Sequence, residues 1–415
     1  MFLETTLARN PELVETAIAL IRDQRIEPNT FVIDLDRVAD NARLIADEAA
    51  RLGLSLHFMT KQQGRNPFLA AAARAAGIPD AVAVDVPEAR LLNGHGIEIG
   101  HVGHLVQVPA RDTGDVVAMR PGAVTVFSVE AARRVSEAAL EVERVQDVLL
   151  RVWKPGDFLY PGQEGGFRVD QMVGAARQIM ALPGVRIAGV TSFPCLYWES
   201  GALVETGNLD SIHQGAAILR DDLDLELREI NAPGVTCVST LPRIAARGAT
   251  HGEPGSSLSG HTPLHADGSQ PEMPAMVYAS EIASVGDSRA YCFGGGFYAR
   301  SRVKAGVVAS RDGQRVLEAP ALPPEVIDYY GWLELGGGRA PDIGDPVVFA
   351  FRSQVFVGRC QVAAVAGLAS DSPRVVGICD QHGNVLGEDQ LPVGTERARA
   401  IVAGYASELV AGGVA

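Results

Sequence analysis

The sequence has no apolar run of the length that a membrane-spanning helix needs, and it is poor in cysteine. A span takes about 18 consecutive apolar residues, and no run reaches that length. The opening stretch, MFLETTLARNPELVETAIAL, carries acidic residues, which signal and transit peptides avoid. The five cysteines show no paired spacing, and their odd number is typical of reduced thiols. These absences predict a cytoplasmic protein.

An excess of positive charge is also missing. Acidic residues outnumber basic ones by 50 to 36, so the formal net charge is −14. Such a chain repels a phosphate backbone, and nucleic acid is therefore not expected as a partner. A small anionic cofactor stays compatible with this charge, because local backbone donors can hold it.

The sequence does contain enough apolar residues, 47% of 415, for more than one hydrophobic core. A chain of this length suggests two domains. After helical patterns in residues 1–28, short apolar runs alternate with helical segments. Eight of these runs are strand candidates, and they cover residues 54–60, 81–85, 101–106, 123–127, 148–153, 186–193, 226–231 and 249–253. This alternation predicts an α/β fold built on a (β/α)8 TIM-type barrel.

The sequence changes character after about residue 263. Runs such as PAMVYASEIASVG and DPVVFAFRSQVFVGRCQVAAVAGL are rich in β-forming residues and are separated by Gly, Asp and Pro clusters. They predict a second, mostly antiparallel β domain, to which FVIDL near the N-terminus can add a strand. We therefore expect N-terminal helices and a strand in residues 1–35 that pack with this domain, a barrel over 36–264 and the β domain over 265–415.

One lysine stands at the end of the first predicted barrel strand. In LSLHFMTKQQGRNP, an apolar run ends at Lys61 and turn residues follow. Barrel enzymes place their chemistry at the carboxyl ends of strands, where Asn231 and Glu253 are also expected. A lysine there either extends its ammonium group to water or forms a Schiff base with an aldehyde cofactor. The segment alone leaves both interpretations open.

Two loops rich in small residues follow the last two predicted strands. THGEPGSSLSGHTP, residues 250–263, contains Gly255 and Ser256, and NAPGVTCVST spans residues 231–240. Backbone amides and hydroxyls in such loops can hold a phosphate, and barrels often build a phosphate site after their last two strands. Together with Lys61, these loops predict a phosphorylated aldehyde cofactor.

Several motifs make the chain resemble a known family. MTKQQGRNP, GHLVQVP, FLYPGQEGGF, FPCLYW, THGEPG and YCFGGGFY are similar to the YhfX-type branch of the alanine-racemase-like, fold type III, pyridoxal-phosphate enzymes. The resemblance covers nearly the whole chain and implies pyridoxal 5'-phosphate as cofactor and an amino acid as small-molecule substrate. It implies that Lys61 binds the cofactor and also exchanges a proton with Cα. The other residues expected at the cofactor are Arg65, Ser192, Asn231, Gly234, Thr236, Glu253, Gly255 and Ser256.

Two of these residues depart from alanine racemases. Glu253 takes the position that faces the pyridine nitrogen, where racemases have arginine and the basic-amino-acid decarboxylases of this fold have glutamate. A carboxylate there favours a protonated ring nitrogen and makes the cofactor a stronger electron sink. Ser192 replaces a histidine that stacks on the ring in many relatives, so stacking could pass to Phe193 or the space could serve a larger substrate.

The resemblance also implies a second proton-transfer group from a partner subunit. Tyr291, in RAYCFGGGFY, matches the catalytic tyrosine of alanine racemases, and Cys292 matches the cysteine that decarboxylases of this fold use. Either match would make the protein a homodimer with a shared active site. Acidic residues that could recognise a basic substrate include Asp157, Glu164 and Glu199.

Two other classes of function compete with a racemase. A barrel metallohydrolase could use a group of histidines and a carboxylate, namely His101, His104, His251, Glu253, His261 and His265. Two histidines three residues apart on one strand should not share a face, however, so no metal site is predicted. A non-catalytic cofactor carrier would lack the large second domain. The sequence thus favours an amino-acid racemase with two proton-transfer groups, with a decarboxylase as the first alternative and a carrier as the second.

Overall fold

The computed structural model describes residues 1–298, 301–323, 325–370 and 372–411. The chain divides into two compact units. The first unit comprises residues 1–43, 60–76 and the chain from residue 255 onward, and the second comprises residues 44–59 and 77–254. The segment that carries Lys61 therefore groups with the first unit, although it directly follows a strand of the second.

Helices of the described residues precede the first strand, alternate with the strands of the second unit and close the chain. They are α1 (Phe2–Arg9), α2 (Pro11–Arg22), α3 (Leu35–Leu52), α4 (Pro67–Ala75), α5 (Val86–Gly94), α6 (Thr113–Ala118), α7 (Val129–Glu141), α8 (Met172–Met180), α9 (Asn208–Asp221), α10 (Leu241–Ala246) and α11 (Thr395–Ala411). Among the described residues, no helix is both long and apolar enough to cross a membrane.

The strands of the described residues up to residue 254 are β1 (Thr30–Asp34), β2 (Ser55–Phe58), β3 (Asp80–Ala83), β4 (Ile99–Val102), β5 (Ala123–Val126), β6 (Gln146–Trp153), β7 (Phe167–Arg168), β8 (Val185–Thr191), β9 (Leu196–Glu199), β10 (Ala202–Glu205), β11 (Glu229–Asn231) and β12 (His251–Gly252). Those that follow are β13 (Met276–Val285), β14 (Arg289–Phe293), β15 (Ala305–Ser310), β16 (Gly313–Glu318), β17 (Tyr330–Glu334), β18 (Pro346–Phe349), β19 (Gln361–Ala366) and β20 (Arg374–Cys379).

Eight parallel strands form a closed barrel in the second unit. Their order around the ring is β2-β3-β4-β5-β6-β8-β11-β12, and the pairing of β12 with β2 closes it. Each of the eight predicted runs overlaps one of these strands, so the predicted (β/α)8 barrel is confirmed. A cluster of three buried apolar side chains, Ala123, Leu149 and Ala188, fills part of the interior of the barrel. The β2, β11 and β12 side is polar instead, because these strands carry His57, Glu229 and His251.

Helix starts in the second unit follow directly from the sequence. Asp85 accepts a hydrogen bond from the Glu88 amide at the start of α5, and Ser128 accepts one from the Ala131 amide at the start of α7. Each side chain satisfies an amide that has no partner within the helix. Asp85, which also follows a barrel strand, therefore serves as a helix cap.

The β domain belongs to the first unit and is mostly antiparallel, as predicted. Six of its strands form a ring in the order β14-β17-β16-β15-β18-β13, closed by the pairing of β13 with β14. β1 extends this sheet, pairing antiparallel with β13 and parallel with β19. Its core joins apolar side chains of α1 and α2 to the sheet, with Leu13, Ile18, Val32, Val277 and Val307 among them.

Candidate active site

A buried carboxylate lies at the centre of the polar groups at the carboxyl ends of the barrel strands. Glu253 follows β12, and its side chain is only 1% exposed. His101 Nδ1 lies 2.9 Å from Glu253 Oε1, and Asn231 Nδ2 donates to the same oxygen at 2.7 Å. His104 Nε2 lies 3.1 Å from Oε2. We call His101, His104, Asn231 and Glu253 the Glu253 cluster.

The two histidines of this cluster correct one expectation from the sequence. His101 and His104 were not expected to share a face, yet their rings stack with centroids 4.9 Å apart and both contact Glu253. The expectation was wrong because β4 ends at Val102. Gly103 then adopts φ +96°, a left-handed conformation that turns the chain and returns the second histidine to the site.

The surroundings of Glu253 keep it ionised. Burial alone would raise its pKa, but the positive charge of His104 and the hydrogen bond from His101 hold the pKa of this carboxyl well below its usual range. The other ring nitrogen of His101, Nε2, lies 2.5 Å from Thr125 Oγ1. Hydrogen bonds on both nitrogens fix the orientation of this imidazole, so the cluster presents a fixed negative charge between two imidazoles.

Some polar atoms near these strand ends lack partners. Asn231 and Ser192 are fully buried, and among the described residues neither Asn231 Oδ1 nor Ser192 Oγ has a hydrogen-bond partner. Buried polar groups are rarely left in this state, so each indicates a ligand or water. These atoms, together with the Glu253 carboxylate, suit a polar heterocycle better than an apolar one.

Aromatic side chains lie beside this cluster in the second unit. The ring of Phe193, which follows Ser192, lies edge-on to His104 with centroids 6.1 Å apart and packs against Tyr160 at 5.8 Å. Phe158 stacks on Tyr197 at 4.6 Å and contacts Tyr160. Phe193 is thus held in place by other rings, and its proposed stacking on a cofactor stays a prediction.

Lys61 lies in the first unit, where it begins a 3-10 turn, Lys61–Gln63, two residues after Met59. Gln63 in this turn is fully buried, and its amide donates to the Gly255 carbonyl at 3.0 Å and to Ser259 Oγ at 2.8 Å. A Cβ on Gly255 would lie 2.9 Å from the Gln62 side-chain oxygen, so the two residues are closely packed. The lysine turn and the Gly255 loop are therefore one packed element, which the sequence did not reveal.

The loop after Gly255 forms a 3-10 turn, Ser256–Ser259. The Leu258 amide donates to the Gly255 carbonyl at 3.0 Å, so the amides of Ser256 and Ser257 are those that precede the first hydrogen bond of the turn. Ser257 is buried, and its Oγ has no hydrogen-bond partner among the described residues. The donor role expected for Gly255 and Ser256 stays a prediction, to which the Ser257 hydroxyl adds a further candidate.

The remaining residues expected at the phosphate have structural roles of their own. In the second unit, a Cβ on Gly234 would lie 2.6 Å from the Leu196 carbonyl oxygen, and Thr236 is buried in the same loop. In the first unit, Arg65 is buried and its Nη1 lies 3.5 Å from His382 Nδ1. Their contacts to a phosphate stay predictions.

Tyr291 and Cys292 are neighbours on β14 and therefore point to opposite faces of the sheet. Tyr291 is half-buried, whereas Cys292 is fully buried. Burial raises the pKa of the Cys292 thiol to about 12. A thiol in this state is a poor proton carrier, so the geometry of the chain favours Tyr291.

Other polar residues that the sequence suggested as site residues make structural contacts outside the Glu253 cluster. Asp157 accepts hydrogen bonds from Ser211 Oγ and the Lys154 amide, so it holds a loop together. In the first unit, His261 packs against Phe2, and His265 lies 3.2 Å from Glu272.

The barrel and the polar residues at its strand ends place the chain in the alanine-racemase class of folds. Residues 33–263 match the family model "Alanine racemase, N-terminal domain", and residues 277–375 match "YhfX-like, C-terminal domain". The chain is 39% identical over 394 residues to the "Uncharacterized protein YhfX" of Escherichia coli (strain K12), which covers 93% of this chain and 100% of that protein. The chain therefore belongs to the YhfX branch of the alanine-racemase-like proteins.

Solved structures show the same fold at low sequence identity. A D-threonine aldolase from Filomicrobium marinum has a TM-score of 0.63 and 18% identity and covers 86% of this chain and 94% of its own. An alanine racemase from Clostridium difficile 630 has a TM-score of 0.57 and 15% identity and covers 85% of this chain and 98% of its own. These likenesses agree on architecture and differ in reaction.

Pyridoxal phosphate is the cofactor of this family, as the sequence motifs implied. The residues present fit it. In the second unit, the Glu253 carboxylate suits a pyridine nitrogen, and the unpartnered oxygens of Asn231 and Ser192 suit polar ring substituents. In the first unit, the small-residue turn Ser256–Ser259 by itself suits a phosphate.

Proposed function

We propose that this protein is a pyridoxal-phosphate-dependent racemase of an amino acid. The observation that supports the cofactor part of the proposal is the Glu253 cluster, in which a buried carboxylate lies between His101 and His104. The choice of racemisation depends on Tyr291, which is half-buried on β14 while its neighbour Cys292 is fully buried. When bound, pyridoxal phosphate withdraws electrons from Cα of an attached amino acid, which makes the Cα–H bond acidic. A carboxylate at the ring nitrogen strengthens that withdrawal.

The residues of the chain would hold the cofactor and transfer protons to and from the substrate. Lys61 would hold the cofactor and, as a general acid or base, would exchange a proton with one face of Cα. Tyr291 from a second copy of the chain exchanges a proton with the other face. The amides after Gly255 hold the phosphate and so fix the orientation of the ring.

Racemisation is favoured over decarboxylation by the second proton-transfer group. The expected decarboxylase residue, Cys292, is buried within its own sheet, while Tyr291 is accessible on the opposite face. The burial of Cys292 therefore weighs against a decarboxylase that uses this cysteine.

The reaction is tested by NMR on the cofactor-loaded protein in D2O with a panel of L- and D-amino acids. We expect loss of the Cα–H signal together with inversion of configuration for at least one amino acid. Release of carbon dioxide without inversion would contradict a racemase and support the decarboxylase. Bound cofactor without any reaction across the panel would also contradict it and would support a carrier.

The role of Lys61 has an independent test, because the chain contains only three lysines, Lys61, Lys154 and Lys304. Reduction of the loaded protein with borohydride should attach the cofactor to the peptide that contains Lys61. Lys61→Ala should lose both this label and the visible absorbance of bound cofactor, while the matched control Lys304→Ala keeps them. Label on Lys154 or Lys304 would show that the assignment of Lys61 is wrong.

A further inference from the structure

A second group of polar side chains lies inside the barrel, one layer below the Glu253 cluster. His57 of β2 contacts Asp80 of β3 through Nδ1, and its ring stacks on that of His251, with centroids 5.2 Å apart. Glu229 of β11 faces the other nitrogen of His57. We call His57, Asp80, Glu229 and His251 the His57 cluster. The His57 ring lies 6.2 Å from that of His101, which sets the spacing of the two layers.

The cluster contains a gap where His57 Nε2 and Glu229 Oε1 face each other at the distance of a long ion pair. His57 Nε2 and Glu229 Oε1 are 3.7 Å apart, which is too long for a hydrogen bond. Both side chains are more than nine-tenths buried, and among the described residues neither atom has a hydrogen-bond partner. Leaving two such atoms unsatisfied is costly, so the gap indicates a missing bonded group.

The distances suit a metal ion in that gap. One nitrogen each of His57 and His251 and one oxygen of Glu229 lie within 4.8 Å of one another. In a tetrahedral zinc site, with ligand bonds of about 2.0–2.1 Å, two ligand atoms are about 3.3 Å apart. The separation of 3.7 Å between His57 Nε2 and Glu229 Oε1 needs only a small closure to reach that value.

The outer contacts of both histidines match those of metal ligands. Asp80 bonds His57 Nδ1, which directs Nε2 into the gap. Thr250 Oγ1 lies 2.8 Å from His251 Nδ1, which leaves Nε2 of that ring for the ion. A carboxylate or hydroxyl behind a ligating imidazole fixes its tautomer and raises its basicity.

The barrel also leaves space for the His57–Asp80 pair and gives solvent access to the His57 cluster. β4 places Gly100 against the cluster, and a Cβ there would lie 2.2 Å from His57 Nδ1 and 2.4 Å from Asp80 Oδ1. The glycine therefore makes room for the pair. The Asp80 side chain is 25% exposed and His251 is half-buried, so the cluster is open to solvent on one side.

We infer that the His57 cluster binds one divalent transition-metal ion of the zinc class through His57 Nε2, His251 Nε2 and Glu229, with water as a fourth ligand. The ion would tie β2, β11 and β12 together directly beneath the Glu253 cluster. Its position away from the carboxyl ends of the strands gives it a structural role in the barrel.

The test uses the full chain after removal of metal with a chelator. Calorimetric titration with zinc chloride, and the visible spectrum on titration with cobalt chloride, should each show one equivalent bound, with a higher melting temperature. Glu229→Gln should weaken zinc binding by about 100-fold or more, and Asp80→Asn by about 10-fold, as expected for loss of a ligand and of an outer partner.

Two control variants distinguish the proposed site from the second group of possible metal ligands, which is His101, His104 and Glu253 of the Glu253 cluster. Glu253→Gln, which alters the upper layer, and His213→Gln, a half-buried histidine on α9, should bind zinc as tightly as the unaltered protein. Loss of binding in Glu253→Gln with retention in Glu229→Gln would move the ion to the Glu253 cluster and overturn the inference.

A second ligand variant keeps the test decisive if Glu229→Gln fails to fold. His251→Gln should also weaken zinc binding by about 100-fold or more, because it removes another proposed ligand. Unchanged zinc binding in a folded His251→Gln variant, or a sulfur ligand in the X-ray absorption spectrum of the unaltered protein, would contradict the site.

Discussion

The two polar layers of the barrel use the same residue types and differ in where they sit along the strands. The Glu253 cluster lies at the carboxyl ends, and its His101, His104 and Glu253 side chains are at most 1% exposed. The His57 cluster lies one layer lower and is partly open to solvent through Asp80. In barrels of this kind, the carboxyl ends of the strands carry the chemistry and the opposite ends carry stability.

β11 and β12 supply both layers. Glu229 and Asn231 are two residues apart on β11, and His251 and Glu253 have the same spacing along β12 and its end. Because side chains two apart share a face of a strand, each pair points into the barrel at two heights. Height along the strand, more than residue type, therefore separates the proposed reaction from the proposed metal site.

The largest expected effect that separates the layers is on activity. Glu253→Gln keeps the size of the side chain and removes its charge, so the ring nitrogen loses its anionic partner. We expect kcat/KM to fall by about 100-fold, a loss of about 2.7 kcal/mol of transition-state stabilisation. Steady-state kinetics on the substrate found by NMR measures this. A fall of less than threefold would mean that the carboxylate has no role at the cofactor.

A smaller effect, on stability alone, is expected in the lower layer. Gly100→Ala forces a methyl group against His57 and Asp80, and overpacking of this kind costs about 2 kcal/mol. The melting temperature of the variant should fall measurably. Gly114→Ala is the matched control, because a Cβ there meets nothing within 4 Å. Equal melting temperatures for the two variants would show that the His57 cluster is not tightly packed.

The smallest effect is expected for Asn231, the neutral member of the upper layer. Asn231→Ala removes the 2.7 Å hydrogen bond to Glu253 Oε1 and the 3.3 Å contact with His101 Nδ1, and it keeps the charge of Glu253. A hydrogen bond to a charged group contributes about 1.5–3 kcal/mol, so we expect kcat/KM to fall by about 10-fold. Zinc binding at the lower layer should not change. A loss of zinc binding in this variant would show that the two layers are not independent.

The sequence was sufficient for the barrel and insufficient for its interior. Apolar runs and their spacing predicted all eight strands, since burial of a parallel strand requires such runs. The contacts of His101 and His104 depend on where β4 ends, which periodicity cannot locate to one residue. The His57 cluster joins residues 57, 80, 229 and 251, and only the register of the closed barrel brings them together.

Some features carry no signal in a sequence at all. Gln63 binds the Gly255 loop through an amide that resembles any surface glutamine when read from the chain alone. α11 lies within the region predicted as a β domain, where its Tyr405 ring packs edge-on against Phe68 of α4. Both contacts are long-range, and tertiary packing decides them.

The double use of β11 and β12 also limits how the length of the chain can vary. An insertion of one residue ahead of Glu229 or His251 would turn the side chains that this strand gives to both layers to the outer face of the barrel. A shift of two residues would keep them inside but would carry the lower side chain to the upper height and the upper one beyond it. Length differences among members of this branch should therefore occur in the loops and helices between strands and be absent from residues 229–231 and 251–253.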